Sequence, residues 1–141
     1  MNRSFRLEIV SPEQEIFSGR ARKLFVTGTM GELEILYGHA PLLTGLAPGV
    51  VWIVKEDGSE EGLVVNGGFL EVQPEATIVL ADVAIRAEDI DEAKAKEIQT
   101  ATEHKISSKT TSLDYDKAHS ELAMAAAELR LIKNLRNLHG D

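Results

Sequence analysis

The sequence contains no cysteine, which excludes a disulfide framework, a thiolate metal site and a cysteine nucleophile. No apolar run approaches the roughly 18 residues of a transmembrane helix, and the first residues lead into alternation rather than into a secretory signal. Basic residues are fewer than acidic ones. The chain has 15 lysines and arginines and 23 aspartates and glutamates, which gives a net charge of −8. A nucleic-acid partner, which a basic surface would recognise, is therefore not expected.

Glycine and proline are almost absent from the C-terminal part of the chain. Residues 1–86 contain all four prolines and ten of the eleven glycines, whereas residues 87–141 contain no proline and only Gly140. These residue types punctuate strands and turns, and their absence permits long helices. We therefore place a boundary at Arg86-Ala87 and predict a domain on each side of it.

The first part of the chain reads as short strands separated by turns. Alternation over 5–9 has the period of two that is typical of a half-buried strand. The apolar segments 50–54 and 63–65 flank 56–59, which predicts a hairpin turn there. Gly67-Gly68 is predicted to separate two strands. Further apolar segments occur at 24–26, 69–72 and 77–80. This pattern predicts an antiparallel β-sandwich or barrel.

The second part is predicted to form a two-helix antiparallel hairpin, so the fold class is α+β. The first helix is expected to begin at 89–92, which resembles a capping box. Its narrow apolar stripe comprises Ile90, Ala93, Glu97, Ile98 and Ala101. Residues 106–113 are predicted to be the loop between the helices, with Asp114 capping the second helix. Apolar residues at helical spacing in that helix are Ala118, Leu122, Ala125, Leu129, Ile132, Leu135 and Leu138.

Histidines and carboxylates form no recognisable catalytic or metal-binding pattern. His39 lies in a loop-like segment near Glu32, but a single histidine there more often makes packing or hydrogen-bond contacts. His104 and His119 lack the i,i+4 spacing of helical zinc sites, and His139 is near the terminus. Neither a phosphate-binding glycine motif nor a Gly-x-Ser-x-Gly motif occurs. We therefore expect no enzyme, no catalytic residue and no metal site.

Three basic residues recur near the end of the second helix. Arg130, Lys133 and Arg136 are spaced by three, so they share about a third of the helix circumference, and no acidic residue lies within 129–138. We call these three residues the basic strip. Cations at a helix C-terminus are favoured by the helix dipole, which is one interpretation. The other is a contact surface for an acidic partner.

Three segments in this order and spacing resemble the epsilon subunit of bacterial F-type ATP synthases. The segment 26–44 includes Gly-Glu-Leu and Gly-His-Ala-Pro-Leu-Leu-Thr. The segment 66–74 reads Asn-Gly-Gly-Phe-Leu-Glu-Val-Gln-Pro, and 80–95 includes Leu-Ala-Asp and Ile-Asp-Glu-Ala-Lys-Ala. The resemblance implies a non-catalytic subunit with an N-terminal sandwich and a C-terminal helix hairpin.

The resemblance also implies partners and a location. The subunit would join the gamma subunit in the central stalk, with its sandwich on the c ring, where Glu32 and His39 are the predicted contacts. Its helices would dock on the sandwich or extend along gamma and restrain ATP hydrolysis. Arg130, Lys133 and Arg136 would then meet acidic segments of the alpha and beta catalytic subunits. The implied location is the cytoplasmic face of the bacterial inner membrane, without direct membrane insertion.

Two positions depart from the family's usual Gly-Glu-Leu-Gly-Ile-Leu-Pro-Gly-His segment. Glu34 replaces the second glycine and Tyr37 replaces the proline. Glycine allows backbone angles that other residues avoid, and proline fixes φ. Because both are replaced, this loop is expected to be shaped differently here.

A third departure concerns ATP. Some family members bind ATP partly through a motif written Ile/Leu-Asp-x-x-Arg-Ala, which Ile90, Asp91 and Ala95 match, whereas Lys94 replaces the arginine. Lysine cannot offer phosphate a planar bidentate fork, so no cofactor is expected beyond weak ATP binding. The alternative function is a nucleotide-sensing binding module.

Overall fold

A computed structural model describes residues 3–107 and 112–138, with the strands first and the helices last. The strands are β1 (Phe5–Val10), β2 (Glu15–Gly28), β3 (Gly31–Leu36), β4 (Leu42–Gly45), β5 (Gly49–Lys55), β6 (Glu60–Val72) and β7 (Thr77–Arg86). A 3₁₀ turn at Ala87–Asp89 leads to the helices α1 (Glu92–Ser107) and α2 (Ser112–Leu138). The predicted fold class is confirmed. The last strand ends at Arg86, and the division into two domains there stays a prediction.

The seven strands belong to one sheet. Its order is β1-β7-β6-β5-β2-β3, with β4 paired to β6, and β1 also pairs with β2 and so closes the strands into a ring. All pairings are antiparallel except that of β1 with β7, which is parallel. The expected strand at 5–9 and the turn at 56–59 are confirmed, and the Asp57 carboxylate accepts hydrogen bonds from the Ser59 amide and hydroxyl.

The core lies inside this ring and draws on every strand, although β4 contributes only the partly buried Leu42. Its largest fully buried side chains are Leu7, Ile9, Leu24, Val26, Ile35, Ile53, Leu63 and Leu70. A second, smaller cluster lies outside the ring, between α2 and the outer face of β5 and β6. It consists of Val50, Val64, Ala127 and Leu131, with Trp52, Met124 and Leu135 partly buried against it. The hairpin is therefore docked on the sandwich through α2.

The predicted break at Gly67-Gly68 is wrong, because β6 continues through it. Leu63 and Val65 face the core before the glycines, and Leu70 and Val72 face it afterwards, so the inward-facing side changes from odd to even residues. The partner also changes, from β5 to β4, while β7 pairs on both sides of the glycines. Positive φ values of 76° and 116° at the two glycines permit this rotation of the strand.

The helix boundaries differ from the predicted ones. Asp89 ends the 3₁₀ turn and Ile90 is extended, so α1 is capped by Asp91, whose Oδ1 accepts a hydrogen bond from the Lys94 amide at 3.0 Å. The predicted loop is too long, since helix continues to 107 and resumes at 112. Asp114 consequently lies inside α2 and does not cap it. Extending an existing helix is much easier than nucleating one, which explains both extensions. Residues 108–111 lie outside the described part.

The apolar stripe was predicted well for α2 and poorly for α1. On α1, Ala95 is buried and Ile98 half-buried, whereas Ala93, Glu97 and Ala101 are exposed, because α1 packs on α2 and turns a different face inward. On α2 the predicted residues from 118 to 135 are buried or half-buried, and only Leu138 is exposed. A second buried face of α2, with Ala127 and Leu131, contacts the sandwich and lies outside the predicted stripe. No helix within 3–107 or 112–138 has the length and hydropathy of a membrane span.

Replacing Gly68 by alanine is expected to destabilise the sandwich by about 2–4 kcal/mol, because backbone strain and a steric clash coincide there. A Cβ at this position would collide with the Leu80 carbonyl oxygen, and its φ of 116° disfavours any other residue. Gly19→Ala is the matched control, since a Cβ there meets only the Phe17 ring at 3.6 Å. Urea unfolding of both variants measures the difference. Equal stability of the two would contradict the role assigned to Gly68.

Candidate functional site

The basic strip lies on the exposed side of the last turns of α2, but two of its three cations are already paired. Arg130 Nη2 lies 3.4 Å from Glu32 Oε1, and Arg136 Nη2 lies 2.6 Å from Glu92 Oε2. Lys133 is exposed and forms no ion pair with any residue that the structure describes. The docked hairpin therefore offers one free cation of the three.

The Arg130–Glu32 pair connects the hairpin to the sandwich. Glu32 is the second residue of β3, and its partner is 98 residues away in the sequence. Side-chain exposures of 55% and 52% leave both groups open to water, so the pair contributes at most about 1 kcal/mol. The carboxylate predicted to contact the c ring thus holds the second helix in the docked arrangement.

The Arg136–Glu92 pair joins the end of α2 to the first residue of α1, which establishes that the helices are antiparallel. Glu92 also accepts from Lys96 at 3.3 Å, one turn along α1. Hydrogen bonds from Arg136, and then from Lys96, hold the pKa of the Glu92 carboxyl below its usual range. The two helices are consequently held together at this end by an ionised carboxylate.

His39 lies away from Glu32, in the loop that follows β3. Its amide donates to the Leu36 carbonyl at 3.1 Å, and its Nδ1 lies 2.7 Å from the Ala40 carbonyl oxygen. Glu32 and Leu36 are four positions apart along β3, a distance of about 13 Å. The structure therefore places the two predicted c-ring contacts at opposite ends of β3 and gives His39 the loop-bonding role considered from the sequence. The His104 side chain and all of His139 lie outside the described residues.

The two departures around His39 have identifiable contacts. Glu34 lies within β3 and pairs with Lys23 of β2 at 3.1 Å. Tyr37 receives the Arg3 guanidinium over its ring, 5.3 Å from the centroid. Glycine and proline could make neither contact. The side-chain contacts at this edge of the sandwich therefore differ from those that the family's usual residues would allow. The expected change of loop shape stays a prediction.

The candidate ATP residues line a shallow cavity of about 370 Å³ at the start of α1. Ala95 is buried, Ile90 is half-buried, and the Asp91 carboxylate is engaged in capping the helix. Lys94 is the only cation in the lining, whereas three carboxyl groups belong to it: those of Asp89, Asp91 and Glu128. Burial raises the pKa of Glu128, and Lys94 opposes that effect. This lining is acidic, which disfavours a triphosphate.

No metal site is evident in the part of the chain that the structure describes. Within it, no three His, Asp or Glu side chains come close enough together to hold an ion.

Sequence reasoning missed the surface that receives α2. Val50 and Val64 are opposite each other on β5 and β6 and are buried by the helix. A signal was present: Leu63, Val64 and Val65 are consecutive apolar residues, and such a run indicates a strand covered on both faces. The run by itself predicts a strand but does not show which element covers its outer face.

An exposed apolar surface on β4, β6 and β7 was also missed. Leu43, Phe69 and Leu80 are 68%, 55% and 48% exposed, and Phe69 is directly opposite Leu80. We call these three residues the outer apolar patch. Exposed clusters of large apolar side chains commonly mark contact surfaces for other proteins.

Comparison with known proteins agrees with this architecture. The family model described as ATP synthase, Delta/Epsilon chain, beta-sandwich domain matches residues 4–87, and that described as ATP synthase, Delta/Epsilon chain, long alpha-helix domain matches residues 88–133. A chain of the Euglena gracilis mitochondrial ATP synthase has a similar fold, with a TM-score of 0.83 and 20% identity over 92% of this chain and 81% of that one. A chain of the Tetrahymena thermophila mitochondrial ATP synthase central stalk and c ring gives a TM-score of 0.62 and 13% identity, covering 92% and 96%. The chain belongs to the Delta/Epsilon chain family of ATP synthase.

Proposed function

We propose that this chain is a non-catalytic central-stalk subunit of a proton-translocating F-type ATP synthase. In this role it couples rotation to ATP synthesis and restrains ATP hydrolysis through its C-terminal helices. The observation that carries the proposal is the family match to both parts of the chain, the sandwich and the helices. The proposed location is peripheral, at the cytoplasmic face of a bacterial inner membrane.

The sandwich is proposed to contact two partners. The outer apolar patch is suited to the gamma subunit, because burial of its leucine and phenylalanine side chains would be favourable at an interface. Glu32 and His39 are proposed to face the c ring. The Glu32 carboxylate remains half exposed while it is paired, so a basic loop can approach it.

The basic strip is proposed to bind acidic segments of the alpha and beta subunits when the hairpin extends. In the docked arrangement Arg130 and Arg136 are held by Glu32 and Glu92. Exposed pairs of this kind contribute little, because water and salt screen them, so a partner with several carboxylates can replace them. The strip therefore acts collectively and is sensitive to salt.

Replacing Arg130, Lys133 and Arg136 together by alanine is expected to raise ATP hydrolysis by about tenfold, since three pairs with the partner of about 0.5 kcal/mol each are lost. The measurement is the hydrolysis rate of the complex reconstituted with each variant, at low and high salt. Alanine at Asn134 and Asn137, which are also exposed on α2, is the matched control. If the triple variant hydrolyses ATP no faster than the parent, the strip is only a solvated helix end.

A second proposal concerns the binding of ATP by this chain. The match of Ile90, Asp91 and Ala95 and the cavity beside them favour the alternative of a nucleotide-sensing module. The acidic lining and the capping role of Asp91 oppose it, so we propose that ATP binds weakly and has no main role here.

Calorimetric titration of the full chain with ATP is expected to give millimolar affinity or weaker, because one lysine cannot offset the surrounding carboxylates. Lys94→Arg should tighten binding, since a guanidinium can contact two phosphate oxygens at once. Lys117→Arg, a similar change at an exposed position of α2, serves as the control. Micromolar affinity of the parent chain would support the nucleotide-sensing alternative instead.

A further inference from the structure

The close approach of α2 to the sandwich depends on one glycine. Gly62 of β6 is directly opposite Trp52 of β5, on the outer face. A Cβ at Gly62 would collide with Cδ1 of Leu131 and would lie 2.7 Å from two atoms of the Trp52 ring. Leu131 is fully buried and lies where a side chain at position 62 would be. We call the meeting of Gly62, Trp52 and Leu131 the Gly62 contact.

Docking at the Gly62 contact also determines which cations are free. Arg130 is one residue before Leu131 and pairs with Glu32 of the sandwich, so this pair exists only while α2 is docked. The Arg136–Glu92 pair lies within the hairpin and survives undocking. Undocking therefore adds Arg130 to Lys133 as a cation available to an acidic surface.

We propose that the Gly62 contact sets the balance between docked and released hairpin, and that docking withholds Arg130 from acidic partners. This inference rests on the proposed function, and it adds the residue that regulates the strip. The cluster beneath α2 is small, so losing the fit of Leu131 on Gly62 removes a large share of what favours docking. A ligand that binds only the released state then shifts the population toward it.

The chain carries its own reporter of docking. Trp52 is the only tryptophan, and its ring is half-buried against the cluster beneath α2. Its Nε1 donates to Glu60 at 2.9 Å at the margin of the contact. Release of α2 uncovers this ring to water, so tryptophan fluorescence measures docking in the full chain.

The test is Gly62→Ala in the full chain, with Gly19→Ala as the matched glycine control. We expect tryptophan emission of Gly62→Ala to shift to longer wavelength and its quenching by acrylamide to rise, with no change for Gly19→Ala. Leu131→Ala removes the same contact from the helix side and leaves the sandwich sequence intact. It should give the same shift, and it keeps the test decisive if Gly62→Ala does not fold. Emission and quenching like those of the parent in both variants would overturn the proposal.

A second measurement separates release from a local change around Trp52. Gly62→Ala changes no charge, but release of α2 frees Arg130. The variant should therefore bind poly-L-glutamate about fivefold more tightly than the parent, which is the lower end of the usual coupling between a conformational change and binding. Adding Arg130→Ala should remove the gain. Unchanged affinity would show that the hairpin stays docked and would contradict the proposal.

The reconstituted complex distinguishes failure of this inference from failure of the proposed function. If this inference and the proposed function are both correct, Gly62→Ala releases the hairpin and slows ATP hydrolysis. Removing the basic strip has the opposite effect. If fluorescence and poly-L-glutamate binding report release but hydrolysis is unchanged, the Gly62 contact stands and the proposed restraint is wrong. If neither reports release, the Gly62 contact is wrong whatever the strip does.

Discussion

The packing of α2 on the outer face of β5 and β6 is the contact on which the arrangement of this chain depends. Without it the helices have little core to join, because α1 packs mainly on α2 and consists mostly of alanine and charged residues. The interface is narrow, and one fully buried leucine contributes about 2 kcal/mol to it. The Arg130–Glu32 ion pair beside it adds at most about 1 kcal/mol. We propose that a hairpin attached in this way can separate from the sandwich, which has its own larger core.

The charges of the docked hairpin are arranged around the same contact. Glu32 has two possible uses, since it holds Arg130 here and is proposed to meet the c ring in an assembled complex. The carboxylate at Glu92 keeps the helices together through Arg136 and Lys96. Two of the three cations of the basic strip are thus neutralised within the chain, and the proposed undocking of α2 would make Arg130 available beside Lys133.

Local signals in the sequence predicted much of this fold, whereas contacts between distant residues were not visible in it. The alternation at Phe5 to Ile9 and the Asp57-Gly58 turn depend on near neighbours, and both were predicted correctly. Gly67-Gly68 has the local signature of a break, but pairing with β7 on both sides carries the strand through it. The role of Gly62 depends on Leu131, and that of Glu32 on Arg130, so neither could be recognised from a short window. The basic strip was predicted from its spacing, but its internal partners were not.

The central claim is that the hairpin can leave the sandwich while the sandwich stays folded. Native-state hydrogen exchange of the full chain, with amides resolved by NMR, tests it most directly. The account predicts that the amides of α2 exchange through an opening of lower free energy than those of β6 and β7, and that this opening includes α1. If the helices and the central strands exchange with one common free energy, the chain opens only by global unfolding, and a separable hairpin is contradicted.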